Sequence, residues 1–253
     1  MTSQPLFSII TVTYNAESTL PATLQSVDQQ TCRNFEHMIV DGASTDRTVA
    51  IADTGTKERR VFSAPDRGLY DAMNRGMEMT TGHYLIFLNA GDRFHSPDTL
   101  KQIEKAILEN DYPGIVYGQT DIVNGNGDKI GDRHLTAPSQ LTLKSFANGM
   151  VVCHQAMAVL RRIAGEYDLK YRFSADYEWC IRCLQHSRHN IYIPETIADY
   201  LSEGLTSDNR RKSLAERFRI MCYYYGIIPT VWRHFRFIPR FLRERRRERS
   251  IQK

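Results

Sequence analysis

The chain has 253 residues, of which 42% are hydrophobic and 25% charged, and its formal net charge is +4. That length suits one large domain, or one domain with an appended segment, with enough apolar content to bury a sizeable core. No apolar run reaches the ~18 residues that would mark a membrane span, no basic region precedes the first apolar run as a signal peptide would require, and the positive excess gathers at the C-terminus.

Residues 7–13 (FSIITVT) read as a buried strand from their β-branched content. Residues 14–17 form the following loop. A helix then starts with Ser18 or Thr19 as cap, Pro21 in its first turn, and Leu20, Leu24 and Val27 at helical spacing. Residues 35–40 make a second strand ending in the acidic turn DGASTD, where Ser44 or Thr45 caps a short helix carrying Val49, Ile51 and Ala52. Val61 and Phe62 form the core of a third strand, and the loop Pro65-Asp66-Arg67-Gly68 follows it. Ala72, Met73, Gly76 and Met77 give the next helix its apolar face. The unbroken run 84–88 (YLIFL) is a fourth, fully buried strand, and it ends in Asn89-Ala90-Gly91-Asp92.

Beyond this strand, Ser96-Pro97-Asp98 starts a helix with Leu100, Ile103, Ile107 and Leu108 on one face. Residues 114–123 read as a strand, and Asn124-Gly125-Asn126-Gly127 turns it into a hairpin. The strand–helix alternation stops near residue 112, so the first part predicts a mostly parallel sheet and the rest a mixed one. Residues 151–160 form an apolar run interrupted by His154-Gln155. Phe173-Ser174-Ala175-Asp176 leads into a helix from Tyr177 that Asp176 is placed to cap. Two short strands are expected at 190–193 and 197–201, then a helix over 205–225 with Leu214, Phe218 and Met221 in phase.

The five cysteines are odd in number and lack framework spacing, which predicts reduced thiols in a cytoplasmic protein. Cys180, Cys183, His186 and His189 step along one helix and its end, a spacing that carries them round its surface and away from a shared ion.

The chemistry centres on acids at strand ends. Asp41, Asp66 and Asp92 come one per βα unit, which places them along one rim of an open sheet, where ligands bind beyond the carboxyl ends of strands. Crowded carboxylates need a compensating cation, and a hard divalent ion sharing a phosphate ligand is the natural guest. Neither G-x-x-x-x-G-K-[ST] nor G-x-G-x-x-G is present, which removes the main support for an ATPase or a dinucleotide-dependent dehydrogenase.

In order and spacing, SIITVTYNAESTL, IVDGASTDRT, PDRGLYDAMNRG and GHYLIFLNAGD resemble the motifs of the family-2 inverting glycosyltransferases, of the type that builds bacterial surface polysaccharides. The resemblance continues more loosely through HQA and SADYEW to about residue 207. It implies the GT-A fold, a Rossmann-like α/β sheet flanked by helices. In that scheme residues 1–112 are the nucleotide-sugar half, 113–207 the acceptor and catalytic-base half, and 208–253 a basic, amphipathic helical segment. It also implies roles for single residues. Thr13, Tyr14, Asp41, Asp66, Arg67 and Asn89 would bind the donor nucleotide, with Asp41 accepting from the imide of uracil. Asp92 would hold Mg²⁺ or Mn²⁺ on the diphosphate, Asp176 would be the base, and His154 and Gln155 would line the sugar or acceptor pocket. Two departures stand out: Asn89 and Gly91 replace acids that many members carry, and Ala175 replaces the first acid of the usual pair before the base.

The expected partners are therefore a nucleotide-sugar donor, with uridine favoured, and a glycan or lipid-linked acceptor. Two other readings stand beside this one. A sugar nucleotidyltransferase would want a basic, glycine-rich loop that residues 13–21 lack. A catalytically degenerate binding module would share the fold. Through 230–249, Trp232, Phe235, Phe237, Ile238, Phe241 and Leu242 interleave with Arg233, Arg236, Arg240 and Arg243. That pattern favours peripheral contact with the inner face of the plasma membrane over nucleic acid, or over a helix packed on the body with a frayed charged end.

Overall fold

A computed structural model describes residues 4–56, 58–133, 135–202 and 210–234. The 207/208 boundary and the tail from Phe235 lie outside the described residues.

The first four strands come from the apolar runs. They are β1 (Phe7–Thr13), β2 (Phe35–Asp41), β3 (Arg59–Ser63) and β4 (Tyr84–Phe87), all mutually parallel in the order β3-β2-β1-β4. Between them run α1 (Leu20–Asp28), α2 (Thr48–Ala52) and α3 (Leu69–Glu78). Because β1 sits between β2 and β4, the strand order reverses there. The crevice beyond the ends of β1, β2 and β4 is thus the topological switch point where such sheets bind ligands. α3 lies close on this sheet. A Cβ at Gly76 would come within 2.4 Å of Ile10 Cγ2 and 3.3 Å of Val40 Cγ2, so only a residue without a side chain fits that contact.

The sheet continues without a break into the second half of the chain. β5 (Arg93–Phe94), α4 (Thr99–Glu109), β6 (Ile115–Val123), β7 (Lys129–Asp132) and α5 (Leu143–Phe146) follow in order, then β8 (Met157–Leu160), α6 (Ala175–His186), β9 (Asn190–Leu201) and α7 (Arg210–Tyr225). β8 joins β4 and β6 antiparallel, β9 runs parallel to β6, and β7 forms the expected hairpin with β6. The two halves are also tied by Arg161. Its guanidinium donates to Gly82 O (2.7 Å), Met77 O (2.9 Å), Ser8 Oγ (3.0 Å) and Thr80 Oγ1 (2.9 Å).

Several local expectations change. The strands predicted at 190–193 and 197–201 are one strand, β9, whose pairing with β6 shifts register around Gln119; this lets Pro194 stay in the strand without donating to the ladder. Leu108 (57% exposed) and Leu214 (54%) point away from the core, because each lies off the buried stripe of its helix. His154–Ala156 is a short 3-10 turn leading into β8, not the end of a strand. Helix α6 starts two residues earlier than expected. Asp176 therefore lies inside its first turn, with Ser174 at the cap position.

Candidate active site

Thr13 and Asp41 are register partners at the ends of β1 and β2. Asp41 is wholly buried. Its carboxylate accepts from the Ser44 N–H (2.9 Å), from Ser63 Oγ (2.6 Å) and from Ser44 Oγ. Three protein donors thus hold the Asp41 carboxylate, and Oδ1 takes only one of them. What Asp41 does is shape the loop after β2, where Ala43 adopts a positive φ of 63°. That loop is knitted to the one after β1: Asn15 N–H donates to Ser44 Oγ (2.8 Å), and Asn15 Oδ1 accepts from the Thr45 N–H (2.9 Å).

The acid that faces outward here is Asp66. A Cβ built on Gly42 would lie 2.7 Å from Asp66 Oδ2 and 3.4 Å from Tyr14 Cδ2, so both side chains pack closely on Gly42. The Tyr14 side chain is 65% exposed beside it. Asp66 Oδ1 accepts from the Gly68 N–H at 2.8 Å, which fixes the loop before α3. Arg67, expected at the diphosphate, turns along its own helix: Nε and Nη2 both donate to Asp71 Oδ1, at 3.1 and 2.7 Å.

Asp92 lies in the turn beyond β4 and is 4% exposed. Its Oδ2 accepts from Gln155 Nε2 at 2.9 Å and its Oδ1 from the Leu201 N–H at 3.1 Å. Burial pushes its pKa up to about 6, although both donors and the neighbouring His154 pull the other way. In the same turn the Asn89 side-chain carbonyl oxygen is buried and has no partner. Thr13 Oγ1, at the end of β1, is likewise buried and unpaired.

Next to Gln155, His154 Nδ1 approaches Asp176 Oδ2 at 3.6 Å, an ion-pair distance too long for a hydrogen bond. Asp176 Oδ1 accepts from the Tyr70 hydroxyl at 3.0 Å. Burial alone would raise the Asp176 pKa. It is outweighed by His154, by the Arg217 charge and by the Tyr177 N–H (2.8 Å), and the group is held below the ordinary aspartate range. Its side chain keeps 16% of its surface open. So His154-Gln155 spans the two acids: one residue of the pair faces Asp176 and the other Asp92. Beneath them Phe87 meets Tyr167 and Trp179 edge-on (5.2 and 5.5 Å between centroids), and Tyr70 stacks on Tyr167 at 5.4 Å. Each such aromatic pair adds about 1 kcal/mol beyond its buried area, which makes a stiff floor.

Two of these residues were not singled out in the sequence. Tyr70 belongs to the quoted PDRGLYDAMN motif, but its link to Asp176 spans 106 residues. Arg217 sits among Arg211, Lys212 and Arg219, and nothing in the local pattern separates it from them. Its Nε is a buried donor without a partner.

Two further features lie apart from these acids. A cleft of about 770 Å³ is lined by Arg67, Asn74, Tyr167, Tyr171, Tyr223 and Tyr224 among others, on the Tyr167 side of the Tyr70–Tyr167 stack. His95, Asp121 and Asp199 bring one ligand atom each within 4.8 Å of one another, a set that could hold a divalent ion. There Lys129 Nζ already lies 3.0 Å from Asp121 Oδ1 and offsets part of the negative charge.

A parallel sheet reversing at β1, acids at its rim and a mixed second half define a glycosyltransferase of the GT-A class. Solved structures share this architecture. S. aureus TarS (residues 1–349) superposes with a TM-score of 0.71 at 18% identity, over 92% of this chain and 72% of that one. A mannosyltransferase from Pyrobaculum calidifontis, solved with GDP-Man and Mn²⁺, gives 0.61 at 16% identity, over 93% and 76%. In sequence, residues 8–166 match Glycosyl transferase family 2, and the chain belongs to that family. It is 38% identical over 189 residues to a PGL/p-HBAD biosynthesis glycosyltransferase of Mycobacterium bovis, covering 72% of this chain and 71% of the relative. It is 28% identical over 212 residues to the amylovoran biosynthesis glycosyltransferase AmsB of Erwinia amylovora, covering 77% and 69%.

Proposed function

We propose that this glycosyltransferase transfers one sugar from a UDP-sugar, with inversion, to a hydroxyl of a lipid-linked glycan destined for the cell surface. The observation that carries the reading is the environment of Asp176. Its carboxylate is kept anionic by His154 and Arg217, oriented by the Tyr70 hydroxyl, and still partly open to solvent.

In this reading Asp176 accepts the proton of the acceptor hydroxyl as its oxygen attacks the anomeric carbon. The bond to the diphosphate breaks on the opposite face, which inverts the centre. A carboxylate with a depressed pKa stays charged across the neutral range and is ready to accept that proton. The exposed Tyr14 ring beside Asp66 takes the base, with the Asp66 carboxylate receiving a donor edge such as the uracil imide. Thr13 and Asn89 offer their unpaired oxygens to the hydroxyls of the ribose. The unpaired Nε of Arg217 suits a diphosphate oxygen.

The Asp92 turn fits a hard divalent cation. Each carboxylate oxygen accepts only one hydrogen bond and keeps a lone pair, and the orphaned Asn89 carbonyl supplies a second hard oxygen. Bound there, Mg²⁺ or Mn²⁺ would offset charge on the departing nucleotide. The choice of a uridine donor is supported by the complexes of TarS with UDP and UDP-GlcNAc. A role in building a glycoconjugate is supported by the names of the sequence relatives, one in PGL/p-HBAD biosynthesis and one in amylovoran biosynthesis. The cleft lined by Tyr171, Tyr223 and Tyr224 offers aromatic faces to an acceptor longer than one sugar.

One observation favours a non-catalytic sugar-binding module instead: both oxygens of Asp92 are already engaged by protein donors. Thermal-shift measurements against nucleotides and nucleotide sugars, with and without Mn²⁺, separate the two. The expected result is a UDP-dependent rise in Tm that chelator removes, followed by transfer or hydrolysis of a UDP-sugar. A shift with UDP that is indifferent to chelator, with no turnover of any donor, would favour the module; no shift with any nucleotide would overturn both.

A further inference from the structure

We propose that the outer face of residues 223–232 is a docking surface for an anionic lipid bilayer. Of the ten large hydrophobic side chains left exposed among the described residues, four fall in this stretch: Tyr223, Ile227, Ile228 and Trp232. Single exposed apolar residues need no explanation, but a run of them does. Ile227 and Ile228 are 67% and 83% exposed, so neither serves the core. The segment has its own buried face and is not misplaced. Ile220, Met221 and Thr230 are buried, the Tyr224 hydroxyl donates to Glu178 Oε1 (2.6 Å), and the Tyr225 hydroxyl donates to Leu143 O (2.8 Å).

Charge selects the occupant. Residues 210–253 hold 14 of the 33 Lys and Arg and three of the 29 Asp and Glu, so this segment is net +11 and the remainder of the chain net −7. An anionic surface attracts this end and repels the rest, which orients the molecule as well as binding it. A second copy would set one positively charged end against another, which opposes self-association here. Nucleic acid would use the arginines but gain nothing from two exposed isoleucines. A bilayer uses both: aliphatic side chains enter the acyl boundary, Trp232 and Tyr223 sit at headgroup depth, and Arg219 and Arg233 meet lipid phosphate.

The same helix carries Arg217, whose charge acts on Asp176. Docking on this face therefore brings the base near the lipid surface, within reach of an acceptor hydroxyl carried there. The docking itself rests on the proposed function only for the nature of that acceptor.

The test is co-sedimentation of the full chain with vesicles of phosphatidylcholine alone or with about one-third phosphatidylglycerol. The chain is expected to pellet with the anionic vesicles and not with the neutral ones, and to be released as salt rises from ~0.1 to ~0.5 M. Ile227→Ser/Ile228→Ser is expected to cut the bound fraction about tenfold with an unchanged Tm, since both side chains are exposed. The proposal is overturned if the wild-type chain stays in the supernatant with both vesicles, or if the double variant pellets as the wild type does. It is also overturned if light scattering shows a non-pelleting dimer that the double variant splits, which would make the face an interface between copies. None of these outcomes depends on turnover, so failure here leaves the transfer reading to its own test.

Discussion

The Tyr70 hydroxyl donates to Asp176 Oδ1 at 3.0 Å and so joins the start of α3 to the first turn of α6. This bond fixes the direction in which one carboxylate oxygen points, while the other faces His154. Tyr70→Phe keeps the stack on Tyr167 and removes only the donor. Its expected effect is a loss of about tenfold in kcat, from one hydrogen bond to a charged group, with Tm nearly unchanged. Steady-state kinetics beside a thermal melt check it; equal losses in KM and Tm would assign Tyr70 a structural role.

Asp176→Asn removes the proposed base. Transfer should fall by at least ~10²-fold while UDP binding, read by calorimetry, stays close to the wild-type value. Transfer at the unmutated rate would remove Asp176 from the mechanism.

The two acids also predict the pH profile. Asp176 is held below the ordinary aspartate range and Asp92 is raised to about 6. The acid limb of metal-dependent donor binding should therefore fall through about pH 6, where Asp92 takes up its proton, while Asp176 remains charged. His154→Ala should move the Asp176 limb upward, because it removes a group that favours the charged form.

Stability should follow the opposite sign at Asp92. Its folded pKa lies above the unfolded one, so its contribution is full below about pH 4 and is lost as pH rises through about 6. Asp92→Asn keeps an acceptor for the Leu201 N–H, and a flipped Gln155 amide can pair with its NH₂. At pH 7.5 the variant should be more stable than the wild type by up to about 3 kcal/mol, with the difference vanishing near pH 4, yet it should lose chelator-sensitive nucleotide binding. Urea melts at the two pH values, beside a nucleotide titration, read both effects.

Gly42→Ala places a methyl against the Asp66 carboxylate, at 2.7 Å before any shift. We expect KM for the donor to rise about tenfold with kcat retained, since Gly42 touches Asp66 and Tyr14 and not the proposed base. An unchanged KM would place the nucleobase elsewhere.

Thiol labelling tests the reading of the cysteines. Cys32, Cys153, Cys180 and Cys183 are buried, and burial raises the pKa of each, whereas Cys222 is half-exposed. A native-state reagent should modify Cys222 alone, with all five reacting in denaturant.

The first half of this fold was legible because its signals are local. Short unbroken apolar runs such as 84–88, bounded by glycines and too short for a helix, mark buried strands, and the acids that follow them mark the rim. The second half was less legible. Pro194 separated what looked like two strands, and only the pairing of β9 with β6 joins them. The site divides the same way. Motif order picked out Asp92, His154, Gln155 and Asp176 as candidates, and the fold brings them together, but sequence order could not reveal that Asp41 is enclosed by Ser44 and Ser63, or that Tyr70 and Arg217 act on Asp176. Those relations are set by contacts between distant segments. Leu108 and Leu214 fit the helical period yet lie outside the packed stripe, since period alone does not say where the stripe ends.

The four bonds of Arg161 limit how this molecule can move. A single guanidinium rivets β8 to β1 and to the segment leading into β4, so the halves are not free to open like the covers of a book. Substrate entry and release then fall to the loops on the rim, and truncating this one side chain should lower Tm while the β4–β8 ladder still holds the halves together.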